Sequence, residues 1–213
     1  MNVFKKLYKE LKRKYGSPRG QWSLWCKRPK TEKEREEVLI GAILTQRTNW
    51  KNVDLVFNNL KRAKIDSLKD ILRTETQRVR DLIKPCGFYK TKSRYLIHLV
   101  RFVFKNYGSL AEMRRSDAKG LREQLLKLKG IGPETADSIL LYALDKPIFV
   151  IDEYTRRLTE KRGLTKDLNY TSLQGLFKEN LRKDFRLYQD FHALIVIDGQ
   201  NKEQRFYART SRR

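Results

Sequence analysis

The chain has 213 residues, enough for one or two domains, and its 48 Lys and Arg against 25 Asp and Glu give a formal net charge of +23. Because 39% of the residues are hydrophobic, the sequence supports a folded core and excludes a disordered basic tail, so we expect a continuous positive surface that binds nucleic acid. With only two cysteines, Cys26 and Cys86, the sequence excludes a disulfide framework and a four-cysteine zinc or iron–sulfur site. No apolar run is long enough to cross a membrane, so we expect a cytoplasmic protein with no membrane partner.

Apolar residues recur three and four apart almost throughout, and this spacing predicts an all-α fold. The first predicted helix runs from Phe4 to Tyr15 and precedes a short segment that contains Trp22 and Trp25. A capping-box pattern at Thr31–Glu34 opens a mostly apolar helix through Leu44, which we expect to be central and buried. Further helices are predicted to start near Thr48, Ser67, Thr74, Thr91 and Ser116, and later ones to span residues 133–144, 152–162, 171–181 and 185–197.

The most informative segment lies between two predicted helices, where Gly130-Ile131-Gly132 precedes Pro133. The glycines permit a tight turn with positive φ, and proline suits the first position of the second helix. Backbone amides in such a turn, together with the positive end of the second helix, can hold a DNA phosphate directly or through a bound monovalent cation. Lys127 and Lys129 lie beside the turn. An ordinary helix–helix turn is the alternative interpretation.

The string L-x-G-I-G-x-x-T-A, from Leu128 to Ala136, resembles the helix-hairpin-helix motif of the base-excision DNA glycosylases related to endonuclease III. The resemblance extends over the chain from Trp22 to Gly199. It implies an all-α, two-lobed glycosylase fold without an iron–sulfur cluster, in which residues 30–139 form a central bundle that ends in the hairpin. Residues 1–29 and 140–213 would form the second lobe. The hairpin residues expected to bind DNA are Lys127, Lys129, Gly130, Ile131, Gly132 and Thr135.

An aspartate follows the hairpin at the start of the next helix in that family, and Asp152 occupies this place after an apolar run. The resemblance implies that Asp152 is catalytic. Cleavage of an N-glycosidic bond produces an oxocarbenium-like sugar, which a fixed anion stabilises while it orients or deprotonates water. The target nucleotide must first be flipped out of the duplex. A role as a simple helix N-cap is the alternative for Asp152.

The sequence departs from the family pattern in two places. Bifunctional relatives carry a nucleophilic lysine two residues past the second glycine of the hairpin, where this chain has Glu134. We therefore expect a monofunctional glycosylase that leaves an abasic site, with Glu134 either in the base pocket or simply favouring the helix N-terminus. Relatives also carry a C-terminal iron–sulfur loop, but residues 201–213 contain no cysteine, so we expect no cluster and no metal or other cofactor beyond the cation at the hairpin.

Two further stretches resemble DNA-contacting loops of the family. Leu39–Thr48 is similar to a helix end from which a glutamine projects toward the gap left by the flipped base, so Gln46 is the candidate wedge and Arg47 a neighbouring DNA contact. Ile83–Lys92 is similar to the loop in which P-x-G-F/Y-Y precedes a basic helix. There Lys84 and Gly87 are expected to bind DNA.

These features together resemble most the 3-methyladenine DNA glycosylase III branch, which excises alkylated purines from an aromatic pocket. A methylated purine with delocalised positive charge stacks well on tryptophan faces. Trp22 and Trp25 are the first candidates for this stacking, followed by Phe88 and Tyr89, and a place in the hydrophobic core is the alternative for each. Similar hairpins serve enzymes that remove uracil, mispaired thymine, adenine or 8-oxoguanine, so the substrate stays open among these bases.

Two non-enzymatic interpretations compete with the glycosylase. A helix-hairpin-helix DNA-binding module shares the charge and the Gly130–Gly132 turn but has no use for Asp152. A structural RNA-binding protein of ribosomal type is favoured by the charge alone and disfavoured by so specific a hairpin. We expect a monomer whose partner is double-stranded DNA that contains a damaged base.

Overall fold

Helices make up all the regular secondary structure in the part of the chain that the structure describes, residues 2–210, with side chains described as far as residue 201. The computed structural model has thirteen α-helices in this range and no β-strand, which confirms the all-α prediction. None of these described helices is long and apolar enough to cross a lipid bilayer.

The helices follow one another through short connections. They are α1 (Val3–Tyr15), α2 (Trp22–Trp25), α3 (Glu32–Leu44), α4 (Trp50–Arg62), α5 (Leu68–Arg73), α6 (Thr76–Leu82), α7 (Tyr89–Tyr107), α8 (Leu110–Arg115), α9 (Ala118–Leu126), α10 (Pro133–Ser138), α11 (Glu153–Lys161), α12 (Tyr170–Asn180) and α13 (Phe185–Thr210). A 3₁₀ turn (Lys84–Cys86) precedes α7, and a π-helical segment (Ile139–Ala143) continues α10.

The chain divides into two compact units. The central unit comprises Lys27–Asp145, and the terminal unit comprises the described residues up to Cys26 and from Lys146 onward. Aromatic packing joins the two ends of the chain within the terminal unit. Phe4 of α1 meets Phe177 of α12 edge to face at 4.9 Å, and Phe149 stacks on Phe177 at 4.3 Å. The N-terminal helix therefore shares a core with helices that come much later in the sequence.

A buried arginine explains why the central unit continues to Asp145, past the predicted end at residue 139. Arg35 of α3 is almost inaccessible, and its guanidinium donates to the Ala143 carbonyl at 2.7 Å and to Asp145 Oδ2 at 2.6 Å. The segment that ends there is not the single helix predicted for residues 133–144. It widens into a π-turn in which the Leu144 amide donates to the Ile139 carbonyl at 3.2 Å.

The helix starts agree with the capping signals, with small shifts. The predicted capping box is confirmed, because Thr31 accepts from the Glu34 amide while the Glu34 carboxylate accepts from the Thr31 amide. Ser67 caps α5 as predicted. Three other starts fall one residue later than predicted, at Asn49, Glu75 and Asp117. α7 starts at Tyr89, before the predicted Thr91, because a left-handed residue, Phe88, directs the chain into the helix.

The turn between α9 and α10 packs against α7 with no room for a side chain. Gly130 has φ +89°, a value that L-residues with a Cβ rarely adopt. A Cβ built on Gly130 would lie 2.2 Å from Cδ2 of Tyr95, which belongs to α7. The ring of Tyr95 therefore occupies the space where a side chain would stand, and the hairpin backbone lies directly on α7.

We predict that Gly130→Ala lowers the free energy of unfolding by about 2–4 kcal/mol, the sum of left-handed strain and overpacking against Tyr95. The matched control is Gly132→Ala in the same turn, because Gly132 has φ −85° and open space around it. Urea denaturation of both variants is the measurement, and the control should change by no more than about 0.5 kcal/mol. Equal losses for the two variants would contradict the packing argument.

Candidate functional site

The hairpin presents backbone amides and lysines at one turn of the central unit. Ile131 is buried and its amide donates to the Leu128 carbonyl at 3.1 Å, which closes the turn. Gly132 is the N-cap of α10 with Pro133 in the first turn, and the first amides of a helix lack acceptors within it. Lys127 and Lys129 are both exposed beside this turn. The arrangement suits an anion such as a phosphate.

A buried ion pair holds the two hairpin helices together. Arg122 of α9 donates to both carboxylate oxygens of Asp137 on α10, at 2.6 and 3.1 Å. Asp137 is fully buried. Two parallel charge-assisted bonds of this kind fix orientation as well as distance. The Arg122–Asp137 pair therefore fixes the angle between α9 and α10.

Gln46 contacts the hairpin directly. Its Nε2 donates to the Gly130 carbonyl at 3.0 Å and to Thr135 Oγ1 at 3.1 Å, so the predicted wedge and two predicted DNA-binding residues form one cluster. The next residue, Arg47, is exposed and has φ +49°. A non-glycine residue in the left-handed region marks a position where the local fold imposes strain.

The second predicted DNA-contacting loop also contains a strained residue. Phe88 has φ +46° and is 67% exposed, an unusual position for an aromatic side chain. Gly87 before it is exposed, and Tyr89 after it is half-buried. Lys84 lies at the surface and pairs with Asp81 at 2.9 Å.

A buried lysine joins this loop to the one that carries Gln46. Lys92 of α7 is 2% exposed, and its Nζ donates to the carbonyls of Leu44 and Cys86, both at 2.8 Å. Leu44 is the last residue of α3, and Cys86 ends the 3₁₀ turn. Burial lowers the pKa of Lys92, although the neighbouring Cys86 partly raises it. One ammonium group therefore holds the ends of both loops.

The terminal unit positions Asp152. Asp152 follows a fully buried run, Phe149–Ile151, and is the N-cap of α11. Its Oδ1 accepts hydrogen bonds from the Thr155 amide at 2.7 Å and from Thr155 Oγ1 at 2.8 Å. Oδ2 lies 3.4 Å from Nε2 of His192, which is close enough for an ion pair when the imidazole is protonated. The Asp152 side chain retains 12% exposure. One carboxylate oxygen is thus occupied by the helix, and the other faces an imidazole.

Two opposing effects set the ionisation of Asp152. Burial raises the pKa of Asp152, but the positive charge of His192 and the donors from Thr155 together outweigh it, so this pKa lies below its ordinary value. The group is therefore an anion at neutral pH, as a stabiliser of developing positive charge must be.

Trp22 and Trp25 belong to the same cluster as the Asp152 carboxylate, and His192 lies between Trp22 and Asp152. The ring of Trp22 meets His192 edge to face at 5.8 Å and meets Trp25 in the same way at 5.8 Å. Both tryptophans are buried. Trp22, His192 and Asp152 therefore form a contiguous row in the terminal unit.

The predicted residues fall into two sets, one in each unit. Trp22, Trp25 and Asp152 belong to the terminal unit, and the others belong to the central unit, with Glu134 exposed in the first turn of α10. The sequence pattern did not assign a role to three residues that contact the predicted ones or support their loops: Thr155, His192 and Lys92. His192 is one of only two histidines in the chain, which is the one hint that the sequence offered. No cluster of three His, Cys, Asp or Glu side chains among the described residues is placed to hold a metal ion.

We predict that Lys92→Met loosens both loops without unfolding the protein. The amides of Thr48 and Gly87 bond within these loops, and their hydrogen exchange should speed up roughly fivefold to tenfold, since a net hydrogen bond contributes about 1 kcal/mol. Exchange measured by NMR or mass spectrometry is the test. Lys90→Met, an exposed lysine on the same helix, is the matched control. Unchanged exchange in Lys92→Met would show that the lysine does not hold the loops.

Comparison with known proteins shows the family to which the chain belongs. The sequence profile of the HhH-GPD superfamily of base excision DNA repair proteins matches residues 40–183. A Methanocaldococcus jannaschii protein named as a DNA repair glycosylase is 44% identical over 165 residues, which is 76% of this chain and 75% of that protein. Endonuclease III of Thermotoga maritima is 27% identical over 158 residues, 73% of this chain and 70% of its own length.

A solved structure is similar over almost the whole chain. The crystal structure of a 3-methyladenine DNA glycosylase of H. pylori, bound to 1,N6-ethenoadenine, superposes with a TM-score of 0.79 and 31% identity, and the match covers 95% of this chain and 99% of that one. The predicted resemblance to the endonuclease III superfamily is thereby confirmed. The chain belongs to the HhH-GPD superfamily of base excision DNA repair proteins and is a DNA glycosylase.

Proposed function

We propose that this protein removes an alkylated purine such as 3-methyladenine from double-stranded DNA by a monofunctional mechanism. The observation that carries the proposal is Asp152, an anion held at a helix N-terminus beside His192 and Trp22. The likeness to a 3-methyladenine DNA glycosylase over 95% of the chain supports this class of substrate.

Asp152 is suited to the chemical step. Its Oδ1 is fixed by Thr155, so the carboxylate cannot rotate freely and its charge stays in one place. A pre-oriented anion stabilises an oxocarbenium-like sugar without reorganisation, and Oδ2 can orient or deprotonate the attacking water. An alkylated purine is already a good leaving group because it is positively charged, so little acid catalysis is needed.

The presence of Glu134, instead of a lysine, two residues past the second glycine of the hairpin supports the monofunctional mechanism. Glu134 is exposed in the first turn of α10, where bifunctional relatives carry the amine that attacks the sugar. A carboxylate cannot form a Schiff base. The product in this proposal is an intact strand with an abasic site.

Aromatic residues supply the stacking surfaces in this proposal. Trp22 is separated from Asp152 only by His192, so it is a better candidate for the base pocket than Trp25. Phe88, which is exposed, suits insertion between bases, as apolar wedges do in other DNA-bending proteins. Gln46 would leave its hydrogen bonds to the hairpin to fill the gap of the flipped nucleotide.

The DNA backbone would bind at the hairpin. Carbonyl oxygens of the turn are ligands of the kind that monovalent cations prefer, and Gly130 already accepts one bond from Gln46. A phosphate bound by the amides, with or without such a cation, completes the contact. We propose a monomer that acts on chromosomal DNA in the cytoplasm.

Base release, measured by chromatography, tests the substrate. Methylated duplexes are compared with duplexes that contain uracil, a thymine mispair, adenine opposite 8-oxoguanine, or 8-oxoguanine, each with and without alkali. We expect methylated purine to be released and strand breaks to form only after alkali, with no adduct trapped by borohydride. Release of another base would overturn the substrate, and an adduct would overturn the monofunctional mechanism.

We predict that Asp152→Asn lowers base release by about 10²–10³-fold or more, because the fixed negative charge is lost, while duplex binding stays unchanged. Single-turnover kinetics and binding titration measure the two effects.

The matched control for this substitution is Asp117→Asn. Asp117 also caps a helix, with its Oδ1 accepting from the Lys119 and Gly120 amides at 2.9 Å, and asparagine is an equally good cap. If Asp152 were only an N-cap, the two substitutions would have equally small effects on base release.

A further inference from the structure

One exposed face of α7 carries only basic side chains. Five residues at positions i, i+4, i+8, i+11 and i+15 are all exposed, and they lie within about 80° of one another around a helix with 3.6 residues per turn. These residues, which we call the α7 stripe, are Lys90, Arg94, His98, Arg101 and Lys105.

The charge of the stripe is not neutralised by any side chain that the structure describes, that is, up to residue 201. α7 contains no Asp or Glu. None of the five side chains forms an ion pair or hydrogen bond with another residue in the range that the structure describes. Like charges at i and i+4 destabilise a helix, and Lys90 in the first turn also opposes the helix dipole. The protein therefore maintains an unfavourable charge arrangement along a helix of 19 residues.

The N-terminal end of the stripe lies close in sequence to one of the loops that are proposed to contact DNA. It begins two residues after Phe88, and Lys92 on the buried side of the same helix holds the loop that contains Gln46. Tyr95, next to Arg94 in sequence, packs against the backbone of Gly130. The first residues of the stripe therefore lie close to the loop that contains Phe88, whereas Lys92 and Tyr95 support the second loop and the hairpin from other faces of α7.

We propose that the α7 stripe is a second phosphate-binding surface, which holds the backbone of the duplex flanking the damaged base. The proposal rests on the proposed function for the identity of the DNA but not for the catalytic step. The stripe extends for about 22 Å along the helix axis, at 1.5 Å per residue. Successive phosphates of one strand advance by about 3.4 Å along the duplex, so the stripe can span several of them.

Salt dependence tests this surface. Each phosphate contact steepens the plot of log K against log salt by about 0.9. We expect Arg94→Gln/Arg101→Gln to make the slope shallower by about 2 on a duplex of three helical turns, about 30 base pairs. The effect should be smaller on a duplex of one turn, about 10 base pairs, which has little flanking backbone.

The matched control is Lys6→Gln/Arg13→Gln. These two residues are exposed, have the same spacing of seven along α1, and remove the same charge. The control should leave the slope of the long duplex within about 0.5 of wild type. An unchanged slope in the stripe variant, or an equal change in the control, would overturn the proposal. A change seen only when the protein already holds one duplex would assign the stripe to a second DNA molecule and would also overturn it.

Single-turnover base release at saturating DNA separates the two proposals. The stripe variant should keep the wild-type rate there, since it retains Asp152 and the hairpin. If neither protein releases a base while the slope still changes, the proposed function fails and the stripe stands. If both release the base at equal rates and the slopes coincide, the stripe fails and the proposed function stands.

Discussion

The turn at Gly130 is the constraint on which the central unit depends. Its backbone is held from two directions, by the ring of Tyr95 on α7 and by the side-chain amide of Gln46, two residues after the end of α3. Only glycine satisfies both the positive φ and the close approach of the ring. The helices that converge on this turn are locked in register by the Arg122–Asp137 pair. The phosphate contact proposed for this turn would need little reorganisation on so rigid a support, which lowers the cost of binding.

Two buried charged groups, Lys92 and Asp152, are accommodated in different ways. Lys92 is buried, and its burial lowers its pKa because the charged form is disfavoured away from water. The ammonium group of Lys92 offsets this cost by donating hydrogen bonds to the carbonyl of Leu44, the last residue of α3, and to the carbonyl of Cys86, the last residue of the 3₁₀ turn. Asp152 shows the opposite balance, because His192 and Thr155 more than offset its burial. The charge of Lys92 thus holds two loops in place, and Asp152 is kept ionised, as its proposed role requires.

The charged residues that give the net charge of +23 differ in whether they have partners of opposite charge. Two acidic residues of the central unit bind particular arginines: Asp137, which is fully buried, binds Arg122, and Asp145 binds Arg35. The α7 stripe has no such partners among the described residues. A protein that binds a polyanion gains from this separation, since acids within the fold stabilise it without reducing the positive potential of the surface.

The sequence by itself determined most of the helices and the family. Gly130, Gly132 and Asp152 could be singled out as candidates because glycine, proline and capping residues act locally, through backbone conformation and nearby amides. Partners that come from distant parts of the chain could not be found in this way. His192 lies 40 residues from Asp152, and the bonds of Lys92 to Leu44 and of Gln46 to Gly130 span 48 and 84 residues. Their chemistry arises only from packing between helices, which periodicity does not encode, so the tertiary structure alone decided it.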